Sequence, residues 1–261
     1  MLVNWLKRMF YNNDIEKYSS QNCVSDNYEL IGETELSRLP SSVLLAWQDT
    51  QIPNRQRQLV DAQLDLYKKG SKVEPFDVFS KLLSKINNPL TSQRLLEIGC
   101  SSGYYSEVIK FSDFNIDYTG CDYSESFIEL AKQYYPECDF FVADASNLKI
   151  FNRSYDIVVS GCCILHMTNY EEAISEVARV ADKWAIFHRT PVLVADRTQY
   201  FTKDAYGIKT VEIHFNEPNL INLFNKYGLA IVDVISFNQE YDGNGNILSA
   251  TRSYLLKKTG L

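Results

Sequence analysis

The chain has 261 residues, of which 45% are hydrophobic and 23% charged, a globular composition with material for a large core. Its net charge of −7 argues against a nucleic-acid surface, since a polyanion partner demands a basic face, and nothing approaches the about 20 apolar residues of a transmembrane span. The six cysteines, Cys23, Cys100, Cys121, Cys138, Cys162 and Cys163, form no Cys-x-x-Cys pair, which speaks against zinc clusters and a secreted disulfide framework and for reduced, mostly buried thiols in a cytoplasmic protein.

In Met1 to Phe10, Leu2, Trp5, Leu6, Met9 and Phe10 share one helical face, while Lys7 and Arg8 interrupt any signal-peptide core. Such a face packs on its own domain or on a partner subunit, leaving a homodimer open; contact with a membrane surface is the alternative. Residues 1–90 read as a helical N-terminal region that lids the substrate. Pro53 follows the apolar patch Val43 to Trp47. Asn54 to Lys69 then predicts a polar helix with Leu59, Ala62 and Leu66 as its stripe, stopped by Gly70. Pro75 opens another helix with Phe76, Phe79, Leu82, Leu83 and Ile86 at helical spacing.

From residue 94 the pattern alternates. Strands are predicted near 94–98, 117–121, 139–142, 155–160 and 184–188, with helices near 104–111, 125–133 and 170–182. That alternation predicts an α/β fold with a mainly parallel sheet and right-handed crossovers. A helix near 217–227 ends at Gly228, and strands near 229–237 and 248–257 flank Asp242-Gly243-Asn244-Gly245, a hairpin turn. Residues 189–215 are an insert between the fifth strand and the last helix, placed to roof a site.

The first βα unit carries the chemistry. Arg94-Leu95-Leu96-Glu97-Ile98-Gly99-Cys100-Ser101-Ser102-Gly103-Tyr104 is a strand ending in an acid, a tight turn and a helix start. A dinucleotide fold wants Gly-x-Gly-x-x-Gly, and Tyr104 at the third position would crowd a pyrophosphate, which speaks against a nicotinamide dehydrogenase. The spacing suits a smaller ligand without phosphate, S-adenosylmethionine. Asp122 ends the second strand 23 residues after Gly99, placed to accept from both ribose hydroxyls, with Tyr123 beside it. Asp144, after the third strand, can accept from the adenine amino group, and small Ala145 leaves room for the ring. The fourth strand delivers Gly161, Cys162 and Cys163 to the carboxyl edge of the sheet, where open α/β sheets bind ligands.

Residues from about 92 to 190 resemble a class I S-adenosylmethionine-dependent methyltransferase. Glu97, Gly99, Ser101 and Gly103 match that family's first motif, Asp122 its ribose acid and Asp144-Ala145 its adenine site. The usual second glycine is Ser101 here. The resemblance implies a Rossmann-like seven-stranded sheet, mostly parallel, with a C-terminal antiparallel hairpin over residues 91–261. It implies S-adenosyl-L-methionine held by Glu97, Gly99, Cys100, Ser101, Gly103, Asp122, Tyr123, Asp144, Ala145 and Gly161. Gly-Cys-Ser-Ser-Gly-Tyr-Tyr-Ser, Phe-His-Arg-Thr-Pro-Val and Val-Glu-Ile-His-Phe-Asn-Glu resemble one bacterial subgroup of such enzymes.

Methyl transfer is an in-line displacement, so the protein must hold a nucleophile about 3 Å from the methyl and, for a hydroxyl, remove its proton. All three histidines fall in or beside the inferred site, so His166, His188 and His214 are the candidate catalytic residues. Arg189 is a candidate clamp for a substrate carboxylate or phosphate, Glu212 an orienting acid for His214, and Tyr200 and Tyr206 candidate stacking rings. No metal is expected. The sequence thus points to methyl transfer onto a small molecule, at oxygen. Methylation of protein or RNA, or a cofactor-binding scaffold without turnover, are the alternatives. The Asn/Asp-Pro-Pro-Tyr/Phe signature of amino-methylating DNA enzymes is missing after the fourth strand.

Overall fold

The computed structural model describes residues 25–260, so Cys23 and the apolar face expected over Met1 to Phe10 lie outside the described residues. In chain order the strands are β1 (Asp26–Ile31), β2 (Gln93–Ile98), β3 (Ile116–Asp122), β4 (Asp139–Val142), β5 (Tyr155–Gly161), β6 (Ala181–Leu193), β7 (Gln199–Ala205), β8 (Ile208–Asn216), β9 (Leu229–Tyr241) and β10 (Ile247–Lys258). The helices are α1 (Glu33–Leu36), α2 (Ser41–Leu44), α3 (Ile52–Lys68), α4 (Glu74–Ser84), α5 (Tyr105–Phe111), α6 (Glu125–Tyr134), α7 (Tyr170–Val180) and α8 (Glu217–Lys226), with short 3-10 turns at Ala46–Gln48 and Ile164–His166.

The main sheet runs β4-β3-β2-β5-β6-β10-β9. β2 to β6 are parallel, while β10 is antiparallel to both β6 and β9. Helices cover both faces, so its strands are apolar on both sides. Leu95, Ile157, Val159 and Ile186 face Phe79, Leu82 and Leu83 of α4. Their neighbours Leu96, Val158, Ala185 and Phe187 face Ile174 and Val177 of α7 and Phe224 of α8. Period-2 alternation therefore assigns each strand residue to one of two cores. Pro53 and Pro75 stand in the first turns of α3 and α4, where no amide partner is lost. Asn216 accepts from the Asn219 amide at 2.9 Å and starts α8.

β6 is longer than the strand expected at 184–188, and the extra length organises the second sheet. Its edge pairs with β5 as far as His188, then with β8 at Val192 and Leu193. β8, β7 and β1 form an antiparallel sheet from that point. The expected insert is thus a β-hairpin, turned by Tyr206 (φ 54°) and Gly207 (φ 78°), the positive pair of a type I′ turn. Residues 26–31 form a strand where the N-terminal region was expected to be helical. β1 is an exposed edge with little apolar alternation, so its strand character comes from pairing with β7. Among the described residues no helix is long and apolar enough to cross a membrane.

Candidate active site

The carboxyl ends of β2, β3, β4 and β5 open into a cavity of about 560 Å³, closed from above by Trp47, α3 and the β7–β8 hairpin. Among the expected residues, Glu97, Gly99, Cys100, Ser101, Asp122, Tyr123, Asp144, Ala145, Gly161, His166, Arg189 and Tyr206 line it. Gly103, His188, Tyr200, Glu212 and His214 do not.

The loop after β2 is shaped by close approach. Gly99 has φ 64°, and a Cβ there would lie 2.6 Å from Cys163 Sγ. A Cβ on Gly161 would lie 2.7 Å from Glu97 Oε1, so this glycine gives the carboxylate its place. Gly103 sits behind the loop against the Phe140 ring. Ser101 adopts φ 47° despite its side chain, a conformation that favours glycine.

Asp122 is held from both sides. Its Oδ2 accepts from the Ser101 amide at 3.0 Å and its Oδ1 from the Ser124 amide at 2.9 Å. Burial raises its pKa to about 6 against the pull of those amides. Burial likewise lifts Glu97 to about 8, although the Tyr118 hydroxyl donates to its Oε2 at 2.5 Å. Asp144 Oδ1 accepts from the amide and hydroxyl of Ser146 at 2.9 and 2.7 Å. Three buried polar atoms on residues of the cavity wall have no hydrogen-bond partner among the described residues: Trp47 Nε1, Gln56 Oε1 and Ser101 Oγ. Buried polar groups are normally satisfied, so this wall is built for a ligand with both donors and acceptors.

The histidines divide. His166 Nδ1 lies 2.7 Å from the Val211 carbonyl, which can only accept, so Nδ1 carries the proton and Nε2 the lone pair. The Trp47 ring packs 4.7 Å from it. Burial, then the charge of Lys203, lowers its pKa to about 4, which keeps the ring neutral. His188 is fully enclosed, between Ser253 Oγ and the Tyr105 hydroxyl at 2.9 Å each. The expected base at His188 is therefore corrected to an internal brace of α5, β6 and β10. A bulge in the strand explains it: Ser253 of β10 meets both His188 and Arg189, and Arg189, with φ 60°, leaves the extended conformation and lines the cavity while His188 stays enclosed behind it. His214 is buried against Phe201, its Nε2 2.9 Å from Glu212 Oε1. His214 and Glu212 form the expected pair, but inside the roof sheet. Tyr200 bonds Tyr170 instead of facing the cavity.

Lys203 was missed by sequence reasoning. It is 2% exposed, ion-pairs with Glu212 and lines the cavity. The available signal was a lysine between Phe201 and Ala205 on the inward face of a strand. Trp47 and Gln56 were missed as site residues because their approach depends on how the N-terminal helices fold back, while Tyr104, at the start of α5, was read only as a bar to pyrophosphate.

Residues 96–187 match a family model described as a methyltransferase domain. The chain is 27% identical over 88 residues to a demethylmenaquinone methyltransferase of Paenarthrobacter aurescens, covering 34% of each chain. It is 26% identical over 140 residues to an O-methyltransferase of Pyrenophora dematioidea, covering 51% of this chain and 46% of that protein. It thus spans between a third and a half of the length of these curated relatives. A 1,6-didemethyltoxoflavin-N1-methyltransferase from Burkholderia thailandensis, with S-adenosylhomocysteine bound, superimposes with a TM-score of 0.54 at 14% identity, covering 93% of this chain and 97% of that one. The chain therefore has the class I fold of the S-adenosylmethionine-dependent methyltransferases and carries a methyltransferase domain at residues 96–187.

Proposed function

We propose that this chain is an S-adenosylmethionine-dependent methyltransferase that methylates an oxygen of a small-molecule acceptor. The observation that carries the reading is the single cavity that gathers Glu97, Asp122 and Asp144 at the strand ends with His166 in its wall. The donor set fits the cofactor. Asp122, fixed by two amides, would take the ribose hydroxyls, Asp144 beside Ala145 the adenine amine, and Glu97 the ammonium of the methionyl end. Cys100, Ser101 and Tyr123 would complete the wall, and Gly99, Gly103 and Gly161 keep the loops close enough to it. When bound, the cofactor supplies a methyl group on a sulfonium with a good leaving group.

The protein's remaining work is positioning and proton removal. His166 is our general base, because its Val211 bond leaves Nε2 as the acceptor. Its depressed pKa suits an acidic hydroxyl such as a phenol better than an alcohol. Arg189 and Tyr206 form the acceptor side, roofed by residues between Ser25 and Gln63 and by the insert 189–215. A volume of about 560 Å³ lies within the roughly 300–1,000 Å³ of small-molecule sites. The named acceptors of two similar proteins, a demethylmenaquinone and a didemethyltoxoflavin, accord with a small acceptor here.

The test is calorimetric titration with S-adenosylmethionine, S-adenosylhomocysteine and NAD. Micromolar binding of the first two alone, lost in Asp122→Ala, is the expected result. An intact protein that binds neither, or binds NAD as well, overturns the reading.

A further inference from the structure

Glu97 lines the cavity yet is only 2% exposed, and its two carboxyl oxygens are placed differently. Oε2 accepts from the Tyr118 hydroxyl at 2.5 Å, the one hydrogen bond this carboxyl makes among the described residues. Oε1 lies over Gly161, where a Cβ would come within 2.7 Å of it. Gly161 is itself part of the cavity wall, so the oxygen without a donor is the one on the cavity side.

Two strands build this arrangement. In the parallel register of β2 and β3, Leu95 faces Tyr118 and Glu97 faces Gly120, so all four positions share one face of the sheet. Gly120 has no side chain to reach Glu97. A Cβ there would lie 2.8 Å from Cys100 Sγ and 2.9 Å from the Phe140 ring, which closes the position to larger residues. The donor therefore comes from two residues earlier on β3. A tyrosine is long enough to span that step, and the Phe140 ring packs edge-on against it at 6.0 Å. Tyr118 is buried, and burial pushes its hydroxyl well above the ordinary value, so it keeps its proton and donates.

The titratable groups around Glu97 are Tyr118, Cys121 and Asp122 of β3, Cys100, Tyr104 and Tyr105 after β2, and Cys163 after β5. None of them is a cation. Among the described residues, the Tyr118 hydroxyl is thus the group that favours the ionised form. A hydrogen bond to an ionised acceptor is roughly twice as strong as one to a neutral acceptor, so this bond strengthens when Glu97 gives up its proton.

We propose that Tyr118 is a positioning residue for Glu97: it holds one oxygen and keeps the other turned to the cavity, where the carboxylate pairs with a ligand's ammonium group, that of the cofactor's methionyl end. The identity of the ligand rests on the methyltransferase reading, but the action of Tyr118 on Glu97 is measurable without a ligand.

The test is Tyr118→Phe in the full-length protein, which keeps the ring and removes the hydroxyl. Calorimetric titration uses S-adenosylhomocysteine, which carries the ammonium, and 5′-methylthioadenosine, which shares its nucleoside and thioether but has no ammonium. The expected result at pH 7 is a loss of about tenfold for S-adenosylhomocysteine, the size of one charge-assisted hydrogen bond, with 5′-methylthioadenosine within about twofold of wild type. At pH 8, S-adenosylhomocysteine should release more protons from the variant than from the wild type, since Glu97 of the free variant is ionised less. A tyrosine that only packs would weaken both ligands alike and leave proton release unchanged, and either result overturns the proposal. So does wild-type affinity for S-adenosylhomocysteine in Tyr118→Phe. If the wild type does not bind S-adenosylhomocysteine, the cofactor reading falls, and the ligand-free protein decides the role of Tyr118. The Tm gap between wild type and variant should widen from pH 7 to pH 9, because the variant goes on losing stability above the pH at which the wild type has ionised Glu97. A constant gap overturns the proposal.

Discussion

Glu97 shows how one residue reports on the ligand it awaits. Below its pKa of about 8 the buried carboxyl holds its proton, since nothing nearby outweighs the cost of burying the charge. A cationic ligand against it lowers that pKa, so binding near pH 7 should release a proton. Calorimetry in buffers of different ionisation enthalpy checks this, and Glu97→Gln should abolish the buffer dependence. The same shift has a sign for stability. An acid whose pKa is raised on folding favours the folded state while protonated, and that stability is lost as pH rises from about 4.5 to about 8. The ligand-free protein should therefore show a falling Tm over that interval, and a shallower fall in Glu97→Gln. For His166 the lowered value of about 4 keeps the base form present above that pH. The acid limb of kcat should lie near there, not near 6.5, and His166→Gln should cut kcat while leaving S-adenosylhomocysteine affinity close to wild type.

At the scale of elements, the β7–β8 hairpin is held inside by charge as well as by apolar contact. Lys203 and Glu212 pair diagonally across the two strands, Lys203 standing opposite Thr210 and Glu212 opposite Phe201, and His214 bonds the second carboxylate oxygen. Burial pushes Glu212 up, but Lys203 and His214 outweigh it and hold the carboxyl well below the usual range. Its contribution to stability is present above about pH 4.5 and fades as pH falls below that value. Glu212→Ala strands a buried lysine, a loss of about 3–5 kcal/mol for a broken buried pair. Denaturant unfolding at pH 7 should show it, and Lys203→Met with Glu212→Gln should recover much of the loss.

At the scale of the molecule, β6 is the shared member of two sheets. The main sheet is sandwiched between helices, whereas β7 and β8 reach it through two residue pairs at Val192 and Leu193. Local stability follows packing, so amides of β7 should exchange with solvent faster than those of β2 and β5. S-adenosylhomocysteine should slow exchange most in the loops after β2 to β5. Hydrogen exchange with and without S-adenosylhomocysteine checks both statements.

The sequence by itself determined the main sheet and the acids at its edge. Strands β2 to β6, the closing hairpin at Asp242 to Gly245 and the positions of Glu97, Asp122 and Asp144 were legible because local pattern decides them. An apolar run ending in an acid and small residues is a strand feeding a turn wherever it packs. Only the tertiary structure decided which histidine faces the cavity. His188 and Arg189 are neighbours in sequence, but a bulge with one positive φ turns Arg189 into the cavity and leaves His188 enclosed behind it. It also decided that 26–31 is a strand, since an exposed edge takes its form from its partner β7 and not from its own pattern. Lys203 joined the site for the same reason. A single buried lysine is unremarkable along the chain, and its meaning came from Glu212 across the hairpin and from a place in the cavity wall that exists only once the two sheets have met on β6.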